Sequence, residues 1–385
     1  MKVLTATSSF PRYTGDYYGN FIHDLCRKLT RNGVDVTILA PRSRSTTGPL
    51  SGLKVKRFPF MPSQRLETLP EQTLRHASPG ELLQLPSYLG SAYLHIIGES
   101  TDVVHAHFAI PMGFLAALSP RSVPLVITCH GSDCTLPLTK PAYRPFVKYA
   151  LRRADRVVAV SEFIRGLALR LGAPEEKVDV IYLGVDVEKF RPPTDRGELR
   201  REMGIPTDGL VIGTLRRLVP EKRVDDLIRA AAKINKDVDA YFVVGGEGFQ
   251  RPYLERLARA LNVENISFLG AVKDSRRFHQ LCDIWVLTSV QEGLSIALQE
   301  AMATGCVPVA VNGFGCPELI DDGENGYLFK PMDFEGLTEK LLEAADNLEL
   351  GRRARATILE RFNMEKNVLQ YVELYGELVS RRRRY

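Results

Sequence analysis

The alternation of short β-branched runs with amphipathic helical stretches constrains this chain more than any other feature of its sequence. In the first half, the predicted strands are 3–7, 34–39, 103–107, 125–129, 157–160 and 178–182. In the second half, they are 210–215, 241–244, 266–269, 284–287, 307–311 and 327–329. Between strands, apolar residues recur on one helical face, as in 21–29 and 227–234. This alternation predicts parallel sheets with helices on both faces.

The strand series pauses at residues 184–206, which are rich in proline and polar residues, and then starts again. A chain of 385 residues is long enough for two domains. We therefore predict two Rossmann-like doubly wound domains, 1–188 and 189–363, that face each other across a cleft. Ligands bind beyond the carboxyl ends of the strands in such sheets, so functional residues are expected in the loops there. The proline-containing segment 50–94 fits this pattern less well, and we interpret it as an insertion near the cleft.

Composition excludes several classes of protein. No apolar run is long enough to span a membrane, and the first residues become polar too soon for a secretory signal, so we expect a cytoplasmic location. The formal net charge of +5 suits an anionic substrate or membrane surface, and no nucleic-acid-binding motif is found. The six cysteines form no C-x-x-C or zinc pattern, which predicts buried thiols and no metal site.

Peripheral contact with anionic lipid is a separate hypothesis, and it would place the protein at the inner face of a membrane. The basic run 381–384 and the segment 54–60, which mixes basic and aromatic residues, are the sequence features that suggest it. The alternative is that the terminal arginines complement the negative end of a helix.

The segment 291–305, QEGLSIALQEAMATG, carries two carboxylates eight residues apart, Glu292 and Glu300. On one ideal helix they would be about 80° apart around the axis. We therefore place Glu292 in a loop after strand 284–287, and Glu300 on a helix that 293–295 open. The free backbone N–H groups of a helix start can bind an anion, and both carboxylates can accept hydrogen bonds from sugar hydroxyls. The alternative is a glutamate favoured by the helix dipole and a second that faces solvent.

Two cations, Arg217 and Lys222, lie in the segment 212–224, IGTLRRLVPEKRV, directly after a predicted strand. Arginine supplies a planar fork and lysine a point charge, and together they suit a diphosphate. A departing nucleoside diphosphate gains negative charge in the transition state, so cations placed there would stabilise it. A solvated basic loop is the alternative.

The segment 126–133, VITCHGSD, places His130 at the carboxyl end of a buried strand, where ligand-contacting residues occur in parallel sheets. Asp133 could orient His130 or bind substrate, and a purely structural histidine is the alternative. We interpret His105 and His107 as structural or cleft-lining.

Glycines in two other loops permit close approach of the backbone to a ligand. Gly15 and Gly19 lie between the first strand and the first helix, where Asp16 could accept from a hydroxyl. Gly246 belongs to the run GGEG, which also follows a strand. The chain has neither the dinucleotide fingerprint nor the phosphate loop, which disfavours a dehydrogenase or a P-loop enzyme.

Taken together, these segments resemble glycosyltransferase family 4, whose members are retaining enzymes of GT-B architecture with two facing Rossmann-like domains. The resemblance covers nearly the whole chain, and its most specific element is the E-x7-E motif with its flanks, Glu292 to Gly305. Supporting elements are RLVPEK at 217–222, ADRVVAVS at 154–161, GVD at 184–186 followed by Phe190 and Pro192, and DGENGYLF at 322–329. Arg216 stands where the family usually has glycine, so which of the two arginines meets the phosphate is open.

The resemblance implies a role for each candidate. Arg217 and Lys222 would hold the donor diphosphate, and His130 would contact the donor sugar near its primary hydroxyl. Glu292, with the backbone amides after it, would also contact the donor sugar. The implied donor-binding residues are Gly15, Gly19, Gly246, Gly293, Leu294, Ser295 and Glu300, of which Glu300 would bond the ribose hydroxyls. The last helix, within 364–385, would cross back onto the first domain.

The resemblance also implies the reaction. A hexose would pass from a nucleotide-diphosphate sugar to a glycan, lipid or small-molecule acceptor, with retention at the anomeric carbon and without a metal or other cofactor. A uridine diphosphate sugar is the first donor to consider, and guanosine diphosphate mannose the second. The acceptor hydroxyl would attack the anomeric carbon on the face from which the nucleotide leaves. A phosphate oxygen of the donor would help to deprotonate that hydroxyl. The alternatives are a nucleotide-sugar epimerase or hydrolase on the same fold, and a non-catalytic sugar-binding subunit.

Overall fold

A computed structural model describes residues 1–16, 18–43, 45–46, 50, 52–61, 83–120, 123–234, 238–290 and 292–382. The chain divides into two compact units, Met1–Leu183 with Met364–Tyr385, and Gly184–Asn363. Much of the segment predicted as an insertion, 62–82, lies outside the described residues, as does Gln291. Across the described ranges, no helix is both long and apolar enough to cross a membrane.

The first unit contains a parallel sheet of seven strands in the order β3-β2-β1-β4-β5-β6-β7. The strands are β1 Lys2–Ala6, β2 Asp35–Pro41, β3 Lys54–Phe58, β4 Val103–His107, β5 Leu125–Cys129, β6 Arg156–Ala159 and β7 Val178–Val180. Among the described residues before position 184, the helices are α1 Asn20–Arg31, α2 Leu85–Gly98, α3 Phe114–Ala117, α4 Ser132–Thr139, α5 Arg144–Arg153 and α6 Glu162–Arg170. This confirms the predicted parallel sheet, with strand ends that differ by a few residues.

The second unit contains a parallel sheet of six strands in the order β10-β9-β8-β11-β12-β13. The strands are β8 Leu210–Leu215, β9 Ala240–Gly245, β10 Ile266–Gly270, β11 Ile284–Leu287, β12 Val307–Val311 and β13 Tyr327–Phe329. The helices are α7 Arg196–Glu202, α8 Val224–Ile234, α9 Arg251–Ala260, α10 Ser275–Leu281, α11 Ile296–Ala303, α12 Phe334–Asp346 and α13 Leu350–Arg361. Single turns of 3₁₀ or π helix lie at Ala109–Gly113, Pro141–Tyr143, Glu175–Lys177, Pro220–Lys222 and Cys316–Glu318.

Helix α1 shows how the sequence pattern becomes structure. Its apolar residues Ile22, Leu25 and Leu29 recur on one face, and all three are buried. The helix ends at Arg31, and Gly33 follows with φ +81°, a left-handed conformation that glycine adopts without a steric cost. Gly33 therefore marks the end of this helix.

Strand β3 was not predicted, and its contacts change the interpretation of segment 54–60. It pairs with β2 at the edge of the sheet. Lys54 Nζ lies 2.6 Å from Asp35 Oδ1, and Lys56 Nζ lies 2.6 Å from Glu99 Oε1. Phe58 is buried. Lysines facing solvent are typical of an edge strand, so these contacts favour a sheet edge over the contact with anionic lipid that was one hypothesis for this segment.

The predicted linker, 184–206, packs into the second unit. The N–H of Val185 donates to Phe362 O at 2.8 Å, and Arg200 of α7 is buried with its Nη2 at 2.5 Å from Asp283 Oδ2. These contacts attach residues 184–188 to the second unit. The division therefore falls after Leu183 instead of after residue 188.

The last helix, α14 Met364–Arg382, groups with the first unit although it follows the second in sequence. It packs against α1, where Lys28 forms an ion pair with Glu365. The hydroxyl of its buried Tyr375 forms a hydrogen bond of 2.6 Å with Nδ1 of His105 on β4.

Each sheet has one point at which the strand order changes direction. It lies between β1 and β4 in the first unit, and between β8 and β11 in the second. Ligands bind outside the carboxyl ends of the strands at such points. The loops after these four strands therefore define where a site is expected in each unit.

Candidate active site

Three charged side chains meet at the switch point of the second unit. Arg216 follows β8, Lys222 ends the turn Pro220–Lys222, and Glu292 lies in the loop after β11. Lys222 Nζ is 2.8 Å from Glu292 Oε1, and Arg216 Nη2 is 3.7 Å from the same oxygen. Arg216 also donates from Nη1 to the hydroxyl of Ser289. We call Arg216, Lys222 and Glu292 the phosphate cluster, because two cations and one carboxylate leave it an excess positive charge.

Electrostatics keep the carboxylate of this cluster ionised. Burial alone would raise the pKa of Glu292, but the charges of Lys222 and Arg216 outweigh it and hold the pKa below its usual range. Burial lowers the pKa of Arg216, and the charge of Glu292 opposes that shift; an arginine nevertheless remains protonated. Its buried Nε finds no hydrogen-bond acceptor among the described residues. This N–H of Arg216 is therefore able to donate a charge-assisted hydrogen bond to an anionic ligand.

The structure brings Arg216 into the cluster and leaves Arg217 exposed. Consecutive residues at a strand end point to opposite faces, so only one of the two arginines can turn inward. The guanidinium of Arg216 lies over the fully buried ring of Trp285, with its Cζ 5.7 Å from the ring centroid. Such a contact holds the charge in place.

Helix α11 begins as the sequence predicts. The hydroxyl of Ser295 accepts a hydrogen bond of 3.3 Å from the N–H of Leu298, so Ser295 is the N-cap. Gly293 and Leu294 form the approach to the helix, and Glu300 lies within it. His279 of α10, which is fully buried, lies with Nε2 3.1 Å from Glu300 Oε2 and so orients this carboxylate.

Gly246 has a backbone role next to the phosphate cluster. Its φ is +114°, and a Cβ built on it would lie 1.9 Å from the carbonyl oxygen of Arg216. Glycine at this position therefore permits the β9 loop to support the backbone of the arginine.

In the first unit, His130 is held between neighbouring strands. His107 at the end of β4 and His130 after β5 place Nδ1 and Nε2 at 2.9 Å, with their rings stacked 5.1 Å apart. Phe108 and Phe21 flank the His130 ring, with centroids at 4.7 and 5.0 Å. Asp133 does not contact this ring, because its carboxylate accepts from the backbone N–H groups of His130, Gly131 and Ala109 at 2.8–3.1 Å.

The neighbours of His130 fix which of its nitrogens carries the proton. Nε2 of His107 is buried and has no hydrogen-bond partner among the described residues. A buried donor left unpaired is costly, so the favoured tautomer of His107 carries its proton on Nδ1 and donates to His130 Nε2. His130 then keeps a proton on Nδ1 and can donate it to a ligand hydroxyl.

Acidification is expected to destabilise the first unit through these histidines. Burial lowers the pKa of His105 and of His130 to about 3, and it also holds the pKa of His107 well below its usual value. A pKa that is depressed in the fold stabilises it above the unfolded value, about 6.5, and this stabilisation is lost as the pH falls. In the variant His107→Asn, the slope of unfolding free energy against pH, measured between pH 6.5 and 5 by urea titration, should fall by about 1.1 kcal/mol per pH unit. Equal slopes in the two proteins would contradict a neutral, buried His107.

The loop between β1 and α1 is held by its own side chains. Arg12 Nε lies 2.7 Å from the buried carboxylate of Asp16, so Asp16 is used within the loop. Gly19 has φ +70°, and a Cβ built on it would lie 2.4 Å from Ser9 O. Gly15 has φ +93°, and no atom of the described residues lies within 4 Å of a Cβ built on it. Judged by the described residues, close packing requires glycine at position 19 but not at position 15.

A cavity of about 310 Å³ in the first unit is lined by Phe108, whose ring contacts that of His130. Its walls are mostly apolar and include Leu89, Phe108, Phe114, Tyr143 and Phe146. Ser132 and the buried Asp133 provide polar groups. The cavity can therefore hold a ligand with an apolar body and a polar end.

The cysteines are all free and buried, as the sequence predicts. Cys129, Asp133 and Cys134 place potential ligand atoms within 4.8 Å of one another. A hydrogen bond with Cys129, together with burial, raises the pKa of Cys134, which keeps the thiol protonated. The carboxylate of Asp133 is engaged by backbone donors. This group is therefore poorly suited to a cation.

Three contributors to these sites were missed by the sequence argument. Ser289, His279 and Tyr375 each orient a charged or imidazole group from another element. Ser289 follows a predicted strand, which could have pointed to it. His279 and Tyr375 lie in ordinary amphipathic helices, and no local pattern identifies them.

Comparison of the chain with known protein families identifies matches for both units. The family model "Glycosyltransferase Family 4" matches residues 19–189, and the model "Glycosyl transferases group 1" matches residues 195–379. The chain belongs to glycosyltransferase family 4, and the resemblance drawn from the sequence is confirmed.

Relatives and solved structures agree. An uncharacterised glycosyltransferase of Methanocaldococcus jannaschii is 32% identical over 304 residues, covering 76% of this chain and 81% of that protein. N-acetyl-alpha-D-glucosaminyl L-malate synthase of Bacillus anthracis is 29% identical, covering 73% and 76%. The structure of Anabaena HepE in complex with UDP has a TM-score of 0.77 at 22% identity, covering 98% of this chain and 100% of that one. These matches confirm the GT-B fold class.

Proposed function

We propose that this glycosyltransferase uses a uridine diphosphate sugar and retains the anomeric configuration of the transferred hexose. The observation that carries the proposal is the phosphate cluster at the switch point of the second sheet. It holds two cations against one carboxylate, and within the described part of the chain a buried N–H of the Arg216 guanidinium has no acceptor. The structures of HepE with UDP and with UDP-glucose support uridine diphosphate as the nucleotide.

Arg216 and Lys222 would act on the leaving group. When the bond to the anomeric carbon breaks, negative charge develops on the β-phosphate, and preorganised cations stabilise it. In this proposal these two side chains supply the positive charge that a metal ion supplies in other transferases. Glu300, oriented by His279, would accept hydrogen bonds from the ribose hydroxyls.

Retention is proposed without a covalent intermediate. The carboxylate of the phosphate cluster, Glu292, accepts a hydrogen bond from Lys222 and lies close to Arg216, which lowers its nucleophilicity. The acceptor hydroxyl would therefore attack on the face from which the diphosphate departs, and a phosphate oxygen would take its proton. His130 keeps the role that the resemblance implies, donation to a hydroxyl of the transferred sugar.

A panel of nucleotide sugars tests the nucleotide. Thermal unfolding would be followed with UDP-, GDP- and ADP-sugars in buffer containing EDTA. A ligand at 100 times its Kd stabilises the folded state by about 2.7 kcal/mol, so the UDP-sugar should raise the unfolding midpoint and the others should raise it less. Stabilisation by a GDP-sugar alone would contradict the choice of uridine, and stabilisation only after adding Mg²⁺ would contradict the role given to Arg216 and Lys222.

A further inference from the structure

The segment between Asp133 and Asp155 is strongly basic. It contains five cations, Lys140, Arg144, Lys148, Arg152 and Arg153, and no acidic residue. All are exposed except Lys140, which is half-buried. Within the part of the chain that the structure describes, none of the five forms an ion pair; Arg144 donates instead to Pro137 O at 3.0 Å. Their charges are therefore directed to solvent.

Helix α5 arranges these cations beside aromatic side chains. Arg144, Lys148 and Arg152 are spaced four residues apart and form one row along the helix. Phe146 and Tyr149 are 47% and 41% exposed and lie about 130° around the helix axis from the middle of this row. Both contact the ring of Phe114 edge-on, at 5.2 and 5.9 Å, which fixes their direction. A helix that carries cations on one side of its exposed surface and aromatic rings on the other is typical of helices that lie in a membrane interface.

The same helix forms a wall of the apolar cavity. Phe146 is both an exposed residue of α5 and a lining residue of the cavity of about 310 Å³. Tyr143, in the turn before α5, also lines it. An apolar group that enters from the α5 surface would pass from one apolar environment to another without crossing water. The cations alone would also attract an acidic protein or a nucleic acid. The apolar path from the α5 surface into the cavity favours a lipid over both of them.

We infer that the α5 face docks on an anionic lipid surface, from which the enzyme takes a lipid-borne acceptor. The cations would meet phosphate headgroups, Phe146 and Tyr149 would enter the interface, and the cavity would receive the apolar part of the acceptor next to its hydroxyl. The acceptor part of this inference rests on the proposed function. The docking part does not, and it involves none of the surfaces first suggested by the sequence.

Vesicle sedimentation of the full chain tests the docking. At low salt, vesicles with one third phosphatidylglycerol in phosphatidylcholine should sediment the protein, whereas pure phosphatidylcholine should not. Each basic residue near an anionic leaflet contributes about a fivefold increase in partitioning. The double variant Lys148→Glu/Arg152→Glu should therefore bind at least roughly 30-fold more weakly. High salt should weaken binding by the wild type as well.

A matched control separates the α5 face from overall charge. Arg256→Glu/Arg259→Glu makes the same change in net charge on exposed positions of α9 in the second unit. This control should sediment like the wild type. Thermal unfolding and UDP affinity should be unchanged in both double variants, because neither pair lies in a site described above.

Three outcomes would overturn the inference. The first is failure of the wild type to bind anionic vesicles, and the second is equal loss of binding in both double variants. The third combines release of the wild type from vesicles by heparin with an unchanged vesicle affinity in Tyr149→Ser, a variant that keeps the charge but removes an aromatic ring. This third result would mean that no ring enters the interface, and it would favour a polyanion as the partner. Retained UDP binding in any of these cases would leave the proposed function standing, so the two failures are distinguishable.

Discussion

Replacing Lys222 with alanine is expected to lower turnover about a thousandfold while the protein remains folded. Removing one preorganised donor from a developing anion costs about 10²–10³ in kcat, and charge-bearing groups at a transferring phosphate cost more. Lys222 Nζ, 2.8 Å from Glu292, is the cation in closest contact with this carboxylate. Its loss would leave Arg216, 3.7 Å from the same oxygen, as the remaining cation of the cluster.

Initial rates of UDP release from a UDP-sugar in the presence of acceptor would measure this effect. Lys233→Ala is the matched control, because Lys233 lies in the same unit, on α8, and pairs with Glu335 at the surface. The control should keep turnover within about twofold, as expected for a surface ion pair. A Lys222→Ala enzyme as active as this control would remove Lys222 from the reaction.

The two neighbouring arginines can be separated in the same assay. Arg216→Ala should impair turnover nearly as severely as Lys222→Ala, because Arg216 belongs to the phosphate cluster. Arg217→Ala should have a smaller effect, because Arg217 is exposed. The reverse order would mean that Arg217 holds the diphosphate, as the family motif suggested.

Gly246→Ala is expected to destabilise the protein by about 3–5 kcal/mol and to weaken donor binding. The new Cβ would lie 1.9 Å from the carbonyl oxygen of Arg216, so either the β9 loop or the arginine backbone must move. In addition, an L side chain at φ +114° is strained. Movement of the Arg216 backbone would displace the guanidinium from Glu292, which links the loss of stability to the loss of affinity.

The variant Gly204→Ala measures the cost of a positive φ in the absence of a steric clash. Gly204 also has a positive φ, +67°, but a Cβ there would have no neighbour within 4 Å among the described residues. Urea unfolding should therefore show a cost of only about 1–2 kcal/mol for Gly204→Ala. An equal loss of unfolding free energy in the two variants would show that the β9 loop can move to accommodate the new Cβ. It would also show that Gly246 does not support the backbone of Arg216.

The sequence predicted those features that depend on local pattern. Strand–helix alternation was enough for two parallel sheets, and Ser295 marked the start of α11. Strand β3 was missed because its sequence, KVKRF, is largely basic, as is common at a sheet edge. The domain boundary was placed a few residues late because the pairing of Val185 with Asn363 joins positions far apart in the chain.

Site geometry depended on contacts that no local pattern contains. Whether Arg216 or Arg217 faces the cluster is decided by the side on which β8 ends, a difference of one residue. The contact between His107 and His130 follows from the register of β4 and β5, in which His107 lies opposite Thr128. His279 meets Glu300 because α10 and α11 pack together.

Calorimetric titration of UDP into the protein, in buffer with EDTA, tests the central claim most directly. The account predicts one UDP bound per chain by the wild type, and affinity at least about tenfold lower in Lys222→Ala, since a charge-assisted hydrogen bond contributes about 1.5–3 kcal/mol. Absence of UDP binding by the wild type, or equal affinity in the two proteins, would contradict a nucleotide-sugar site built on Arg216, Lys222 and Glu292.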